Sequence, residues 1–301
     1  MKFTKQTILT ALLGFGSMFM LSGAASASTQ NITITPTTIK QDITPNTAVT
    51  GSFSVFNQGT SGYNFKVYAN PYYIKGQEYT PVFQPIAGRP DISKWFSFST
   101  TSSYVAPGQS QTITYTINVP SGILVGDYYA AIFAETQAPP ASTGITINER
   151  VGSLVYLEVP GNITRNVSLD SFSSNWLQQS PLKANLKLTN TGGGYTTSNI
   201  SISVRDILGN AKYTVKSTKI ILPQTTRLID FSWPSAPSLG LFQVNGTATS
   251  PTGDIKLPTQ YVIVMSTPIR IMLITFIVLL IIGVEIRHRL RQKKVRKKRK
   301  K

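Results

Sequence analysis

The 301-residue sequence predicts an all-β fold of two tandem immunoglobulin-like β-sandwich domains followed by one transmembrane α-helix. Three observations predict it. Short runs of alternating apolar and polar residues, rich in Thr, Val, Ile, Tyr and Phe, are punctuated by Gly, Pro and Asn. A set of turn landmarks occurs twice along the chain. A membrane-length apolar stretch near the carboxyl end precedes a dense run of basic residues.

At the amino end, Lys2 and Lys5 precede an apolar stretch at 8–21, and Ala25-Ser26-Ala27 follow it. This order is that of a secretory signal, so residues 1–27 are read as a signal peptide cut after Ala27.

The body then reads as strands at 33–39, 50–56, 64–68, 110–119, 128–135 and 152–159 in a first domain, 28–160. A second domain, 161–267, has strands at 167–172, 183–189, 198–205, 211–221, 226–233, 240–248 and 260–265. The boundary is set near Pro160-Gly161, where the landmark series restarts. In the first series Phe53-Ser54-Val55-Phe56 runs into Asn57-Gln58-Gly59, and in the second Leu186-Lys187-Leu188-Thr189 runs into Asn190-Thr191-Gly192. Such Asn-x-Gly turns offer residues that tolerate positive φ. Pro107-Gly108 and Gly126-Asp127-Tyr128 are then matched by Pro223 and Gly240-Leu241-Phe242. Tyr128 is expected to act as a corner tyrosine, ring inward and hydroxyl on backbone, while Trp95, Trp176 and Trp233 are expected in cores or at the domain junction.

Residues 268–286 make a 19-residue span with only Arg270 and Glu285 charged, near its ends. As a helix this is about 28 Å long, enough to cross the hydrocarbon. The tail 287–301 carries 11 Lys or Arg and no acid, which places it in the cytoplasm and the domains outside. Arg287, Arg289, Arg291, Lys293 and Lys294 are expected at the membrane surface against anionic headgroups, a contact of about 1 kcal/mol per cation before screening. The formal net charge of +17 falls to +4 on the exported body. With no aromatic residue interleaved in the tail, nucleic acid is not an expected partner.

The chain has no cysteine and one histidine, His288, which falls in the tail. Histidine-dependent nucleophile systems and His-ligated zinc sites are therefore absent from the exported body. Asp91, Asp127, Glu135, Glu149 and Glu158 are the acids considered for carboxylate-pair chemistry, but they are spread through strand-like segments as solvated charges. The reading is a non-enzymatic protein without cofactor or metal.

The first domain, with Thr33-Ile34-Thr35-Pro36, Asn57-Gln58-Gly59, Trp95, Pro107-Gly108-Gln109-Ser110, Val119-Pro120 and Gly126-Asp127-Tyr128-Tyr129, resembles the peptidoglycan-binding domain of bacterial WxL-interacting surface proteins. That resemblance implies an export signal, two β-sandwiches, a membrane helix and a basic tail. It also implies a first domain on cell-wall glycan and a second on a protein partner.

From Asn57 to Pro107 is 50 residues, whereas from Asn190 to Pro223 is 33, so the first domain carries about 17 extra. The surplus holds Tyr72, Tyr73, Lys75, Tyr79, Phe83, Arg89 and Lys94, a mix suited to stacking on sugar or on an apolar patch while cations meet carboxylates. These seven are the candidate binding surface. A loop at 136–149, with Pro139-Pro140, is a second candidate. The expected function is a membrane-anchored cell-surface binding or scaffold protein, contacting peptidoglycan or a surface protein. The alternative is a tethered assembly factor that pairs an edge strand with a client's strand. A free edge bordered by apolar side chains favours the alternative, and an aromatic, basic loop surface favours the wall.

Overall fold

The computed structural model describes residues 31–137 and 148–298. The signal at 1–27, most of the 136–149 loop and the last residues of the basic tail lie outside the described residues, as do the side chains of Lys293 and Lys294.

The strands are β1 (Ile32–Thr35), β2 (Thr38–Asp42), β3 (Ala48–Asn57), β4 (Tyr63–Pro71), β5 (Tyr73–Lys75), β6 (Thr80–Val82), β7 (Phe96–Phe98), β8 (Ser102–Val105), β9 (Ser110–Asn118), β10 (Gly126–Gln137) and β11 (Arg150–Val159). There follow β12 (Val167–Ser173), β13 (Leu177–Gln178), β14 (Leu182–Asn190), β15 (Thr196–Asp206), β16 (Ala211–Ile221), β17 (Thr226–Trp233), β18 (Leu239–Ser250) and β19 (Gly253–Met265). A helix, α1 (Thr267–Lys298), ends the described chain.

Sheet β1-β3-β9-β7 faces sheet β2-β11-β10-β4-β8, and between them Phe53, Phe65, Ile113, Ile117, Ile132 and Leu157 form a dry core. Sheet β12-β14-β17 faces sheet β13-β19-β18-β15-β16 around Leu182, Leu186, Val204, Ile229, Trp233 and Val262. In β14 the pattern Leu182, Ala184, Leu186, Leu188 puts every second side chain inside, as the strand repeat requires. Each sandwich has its own apolar core, which is how a chain without cysteine holds two β units.

Two strand readings are corrected. The run read as 33–39 is two strands, β1 and β2, which lie in opposite sheets of the first sandwich. Pro36 lacks an amide hydrogen and interrupts the ladder, so the chain crosses between sheets there. The run read as 260–265 starts seven residues earlier, at Gly253, because the hairpin with β18 extends back through Ser250 across a register shift near Gly246.

The landmark turns are equivalent atom for atom, although by another device than the one expected. None of Asn57, Gly59, Asn190 and Gly192 has positive φ. The asparagine carboxamides do the work instead. Asn57 is fully buried; its Nδ2 donates to the carbonyls of Ser61 (2.8 Å) and Val105 (3.3 Å), while its Oδ1 accepts from the Gly59 amide (2.9 Å). Asn190, also fully buried, donates to Gly194 (2.9 Å) and Ile221 (2.8 Å) and accepts from Gly192 (2.8 Å). The left-handed residues lie in the facing turns, Gly108 at φ 70° and Gln224 at φ 56°. Gln224 is held there by its own Nε2, which donates to the carbonyls of Thr191 and Gly192, each at 3.0 Å. Gly192 is required for another reason: a Cβ there would sit 2.4 Å from the Thr164 carbonyl oxygen.

Tyr128 behaves as read from sequence. Its hydroxyl donates to the Leu124 carbonyl at 3.0 Å and its ring packs 5.2 Å from Trp95 at the edge of the core. Trp95 and Trp233 are buried, but Trp176 is 68% exposed, contrary to expectation. It stands in the short β12–β13 connection, where its carbonyl accepts from the Ile263 amide at 2.7 Å while nothing covers the ring.

Substituting Asn57→Ala or Asn190→Ala strands two buried carbonyls and one amide, and each variant is expected to lose about 2–4 kcal/mol in urea unfolding. The Asp variants restore only the acceptor, so they should recover little of it; wild-type stability in either Asp variant would show that the amide donors contribute nothing.

Candidate functional site

The central strand β10 differs from its neighbours in sequence, since Ala130-Ala131-Ile132-Phe133-Ala134 is apolar without alternation, and all five side chains are buried. Burial on both faces requires a cover on the outer side of its sheet. That cover is a third apolar cluster, formed by Tyr72, Tyr129, Ala131, Phe133, Tyr156 and Leu222, with Tyr79, Phe83, Tyr195 and Ile220 packed on it. Leu222, Ile220 and Tyr195 come from the second sandwich. The surplus residues of the first sandwich form the small β5–β6 hairpin beside this cluster.

Tyr72 sits 5.9 Å from Tyr129 and 6.0 Å from Phe83, and Tyr156 sits 5.2 Å from Tyr195 across the junction. Tyr79 reaches furthest: its hydroxyl bonds the Thr225 hydroxyl (2.8 Å) and accepts from the Leu222 amide, and Arg227 lies 4.3 Å over its ring. The Gln77 carbonyl accepts from the Leu228 amide at 2.9 Å. Tyr79 holds φ 62°, an unusual conformation for a bulky residue, which these cross-junction bonds stabilise. Each buried aromatic contributes about 1.5–3 kcal/mol by leaving water, against about 1 kcal/mol for each neutral hydrogen bond, so the apolar cluster dominates the attachment.

This corrects the exposed-surface expectation for part of the candidate set. Tyr72 is 3% exposed, and Tyr79 and Phe83 are partly buried against the same cluster, so these three do not stand out from the surface as free platforms. Burial pushes the Tyr72 and Tyr129 phenols well above their usual range, which keeps both neutral. Tyr73 is half-buried, its hydroxyl accepting from Gln84 at 3.1 Å. Lys75 and Arg89 are exposed, and Lys94 is exposed beside Asp91 at 3.9 Å. The structure brings Tyr72, Tyr79 and Phe83 together in this seam, leaves Tyr73, Lys75 and Lys94 outside it, and places Arg89 with Tyr72 on the lining of one cleft.

Next to the seam is an open cleft of about 390 Å³, walled by Ile86, Arg89, Leu124, Val125, Gly193 and Pro223. At its base Asp127, with a side chain 1% exposed, faces Arg165 Nη2 at 3.6 Å, and the same guanidinium lies 2.6 Å from Glu158. Asp127 also accepts from the Tyr195 amide and from the Tyr129 hydroxyl (3.2 Å), while Arg165 donates to the Tyr195 carbonyl. Burial pushes the Asp127 carboxyl up from its ordinary range, although the Tyr195 amide and Arg165 oppose the shift. Two of the other acids are engaged as well. Asp91 caps a turn through Ser93, and Glu135 is held by Lys66 (3.0 Å) and the Tyr68 hydroxyl (2.6 Å), whose hydrogen bond lowers its pKa.

A second feature lies on the other sandwich. β16 has eleven residues and one strand neighbour, β15, so its other side is open to a further strand except at its carboxyl end, where the Ile220 and Ile221 carbonyls accept from the Arg227 (2.6 Å) and Asn190 (2.8 Å) side chains. Among the described sheets it is the longest edge strand; β17 has eight residues, with the Gln77 carbonyl on its Leu228 amide, and β12 has seven. Tyr213 and Val215 of β16 are half-buried on the core side, Tyr213 stacking 5.9 Å from Trp233. On the other face Lys212 and Lys216 are exposed. Sequence reasoning found this strand but not its edge position, because pairing order is not written in a strand's own pattern.

Helix α1 carries a 25-residue segment, Thr267–Arg291, long and apolar enough to cross a membrane, with none of it buried inside the protein. Arg270 at its start donates to the Met265 carbonyl (2.8 Å), and Arg289 pairs with Glu285 at 2.9 Å. Arg287 and Arg291 are exposed on the same helix.

Arg165→Met leaves Asp127 buried without its cation and is expected to cost about 2–5 kcal/mol at neutral pH. A carboxyl with a raised folded pKa contributes stability at pH below its unfolded pKa and loses it as pH rises through the folded pKa. The variant's deficit should therefore shrink as pH falls into the carboxylate range, read as melting temperature against pH beside wild type. A deficit independent of pH would remove Asp127 as its cause.

No family model matches the chain, and no curated protein matches it. Among solved structures, the chain is similar to a chaperone–tip adhesin complex of CFA/I fimbriae biogenesis, at 13% identity and TM-score 0.38, covering 79% of this chain and 100% of that one. It is also similar to the Escherichia coli chaperone DraB, at 12% identity and TM-score 0.40 over 77% and 97% of the two chains. A Salmonella enterica SafA pilin complex with the SafB chaperone gives 9% identity and TM-score 0.40 over 79% and 99%.

Proposed function

We propose that this chain is a non-catalytic, membrane-anchored binding protein of the bacterial cell surface, which holds a protein partner by pairing the partner's extended segment with β16. The observation that carries the reading is the edge position of the eleven-residue β16, which has no strand beyond it and is bonded on from the junction only at Ile220 and Ile221. An edge of that length presents a row of unmet donors and acceptors to an incoming strand. Its side chains fit the role. The half-buried Tyr213 and Val215 offer an apolar lip on which alternate partner residues pack, while Lys212 and Lys216 discourage pairing with a second copy.

Three of the four aromatic residues that would have favoured wall glycan, Tyr72, Tyr79 and Phe83, are packed in the junction cluster, which weighs toward the edge-strand reading. Peptidoglycan contact, implied by the resemblance to WxL-interacting surface proteins, is the second reading; exposed Lys75 and Arg89 favour it as cations for wall carboxylates. In both readings the two sandwiches lie outside the cytoplasm, α1 is the anchor, and the basic tail meets anionic lipid inside.

Successive residues of a strand direct their amides to opposite sides, so of Lys216→Pro and Ser217→Pro one removes a β15 bond and the other only an outward donor. The variant that keeps the wild-type melting temperature is expected to abolish photo-crosslinks from position 218 to protein in intact cells. Undiminished crosslinks in that variant would overturn strand pairing. Co-sedimentation of the exported body with purified wall, lost on Lys75→Glu with Arg89→Glu, would support the second reading instead.

A further inference from the structure

The second sandwich carries an apolar face at the end where the chain leaves it for α1. β18 and β19 pair so that Leu239 stands opposite Met265 and Leu241 opposite Ile263, with Tyr261 next along. On these strands Phe242, Val244, Val262 and Val264 point into the core. The odd-numbered residues therefore lie on the outer face of the sheet. There Leu239 is 56%, Leu241 45% and Tyr261 64% exposed. Trp176 lies beside them, its carbonyl bonded to Ile263, and the β15–β16 turn adds Ile207 and Leu208, the latter 82% exposed. Asp206, immediately before that turn, pairs with Phe242, so the turn projects toward the level of Leu239 and Met265.

We infer that this face rests in the headgroup layer of the membrane that α1 spans, so that the second sandwich is itself seated on lipid; the inference depends on α1 being the anchor proposed above. The connection dictates the proximity. Only Ser266 separates β19 from α1, and it is tied back: its amide donates to Ser238 (2.8 Å) and its carbonyl accepts from Arg270 (3.0 Å). Thr267 adds a bond to Gln179 at 3.0 Å. No free linker lifts the sheet away from the bilayer surface.

The dimensions agree. Twenty helical residues from Thr267 cover about 30 Å of hydrocarbon. At about 3.3 Å per strand residue, Met265 and Leu239 then lie about 7 Å along the strands from that boundary, within the interfacial layer, and Ile263 and Leu241 about 13 Å, a height that falls as β19 tilts from the membrane normal. Tryptophan and tyrosine favour that layer, where ring and polar tip are each accommodated. Charge agrees as well. Arg205, exposed on the same sheet next to Gln243, and Lys212, paired with Asp206 at 3.0 Å, border the face, where anionic lipid attracts cations. No other segment among the described residues covers it.

The chain has no cysteine, so single nitroxide labels can be placed in the full-length protein at Leu208→Cys, Leu241→Cys and, as an exposed control on the same sandwich, Thr218→Cys. In vesicles of phosphatidylcholine with phosphatidylglycerol, labels at 208 and 241 are expected to be shielded from a water-soluble nickel complex and open to oxygen, relative to 218. Equal nickel access at all three positions, in protein that resists carbonate extraction, would overturn the seating while leaving the anchor intact. Spin–spin broadening at 241 that vanishes on dilution with unlabelled protein would overturn it in favour of a second copy. Release by carbonate would overturn the anchor, and the seating with it.

Discussion

The arrangement of the two sandwiches depends on the need of β10 and β11 to bury a second face. A sheet that packs one side on its own core normally turns polar residues outward. Here Tyr129, Ala131 and Phe133 on one strand and Tyr156 on the next are apolar on the outside too. Left in water, that face would weaken the first sandwich and invite association. The second sandwich and the β5–β6 hairpin cover it, so the stability of one unit is linked to the docking of the other. The Asp127–Arg165–Glu158 group then fixes direction more than strength, because its charges must give up water in order to meet.

Much of the fold was legible in local pattern. The alternation of β14 and the limits of β16 and β17 follow from their own residues, and the recurrence of Asn57 and Asn190 correctly aligned the two sandwiches. What local pattern could not supply was the reason for the asparagines. A turn motif suggests backbone freedom, whereas the structure uses a buried carboxamide as a three-way tie, and that role depends on Val105 and Ile221, 48 and 31 residues distant.

The site was less legible, for a reason visible in the residues. Tyr72, Tyr79 and Phe83 were correctly recognised as surplus to a sandwich, but surplus aromatics serve a ligand or a neighbouring unit equally well. The signal that separates the two lay elsewhere, in the unbroken apolar run of β10, which shows that something must cover its sheet. The single histidine and the absent cysteines, by contrast, restricted the chemistry at once. Trp176 shows the same dependence on context: its backbone joins the edge of the β19 sheet while no other described element covers its ring, which the sequence around it does not reveal.

The direct passage from β19 to α1 also has a mechanical meaning. On the proposed reading, in which α1 is the anchor and β16 holds a partner, tension between them enters the sandwich along β19, whose thirteen residues pair with β18 on one side and briefly with β13 on the other. Load applied along a strand shears its ladder, stretching many bonds at once, whereas load across a strand peels them one by one. On that reading the longest hairpin among the described residues takes the pull in the resistant geometry.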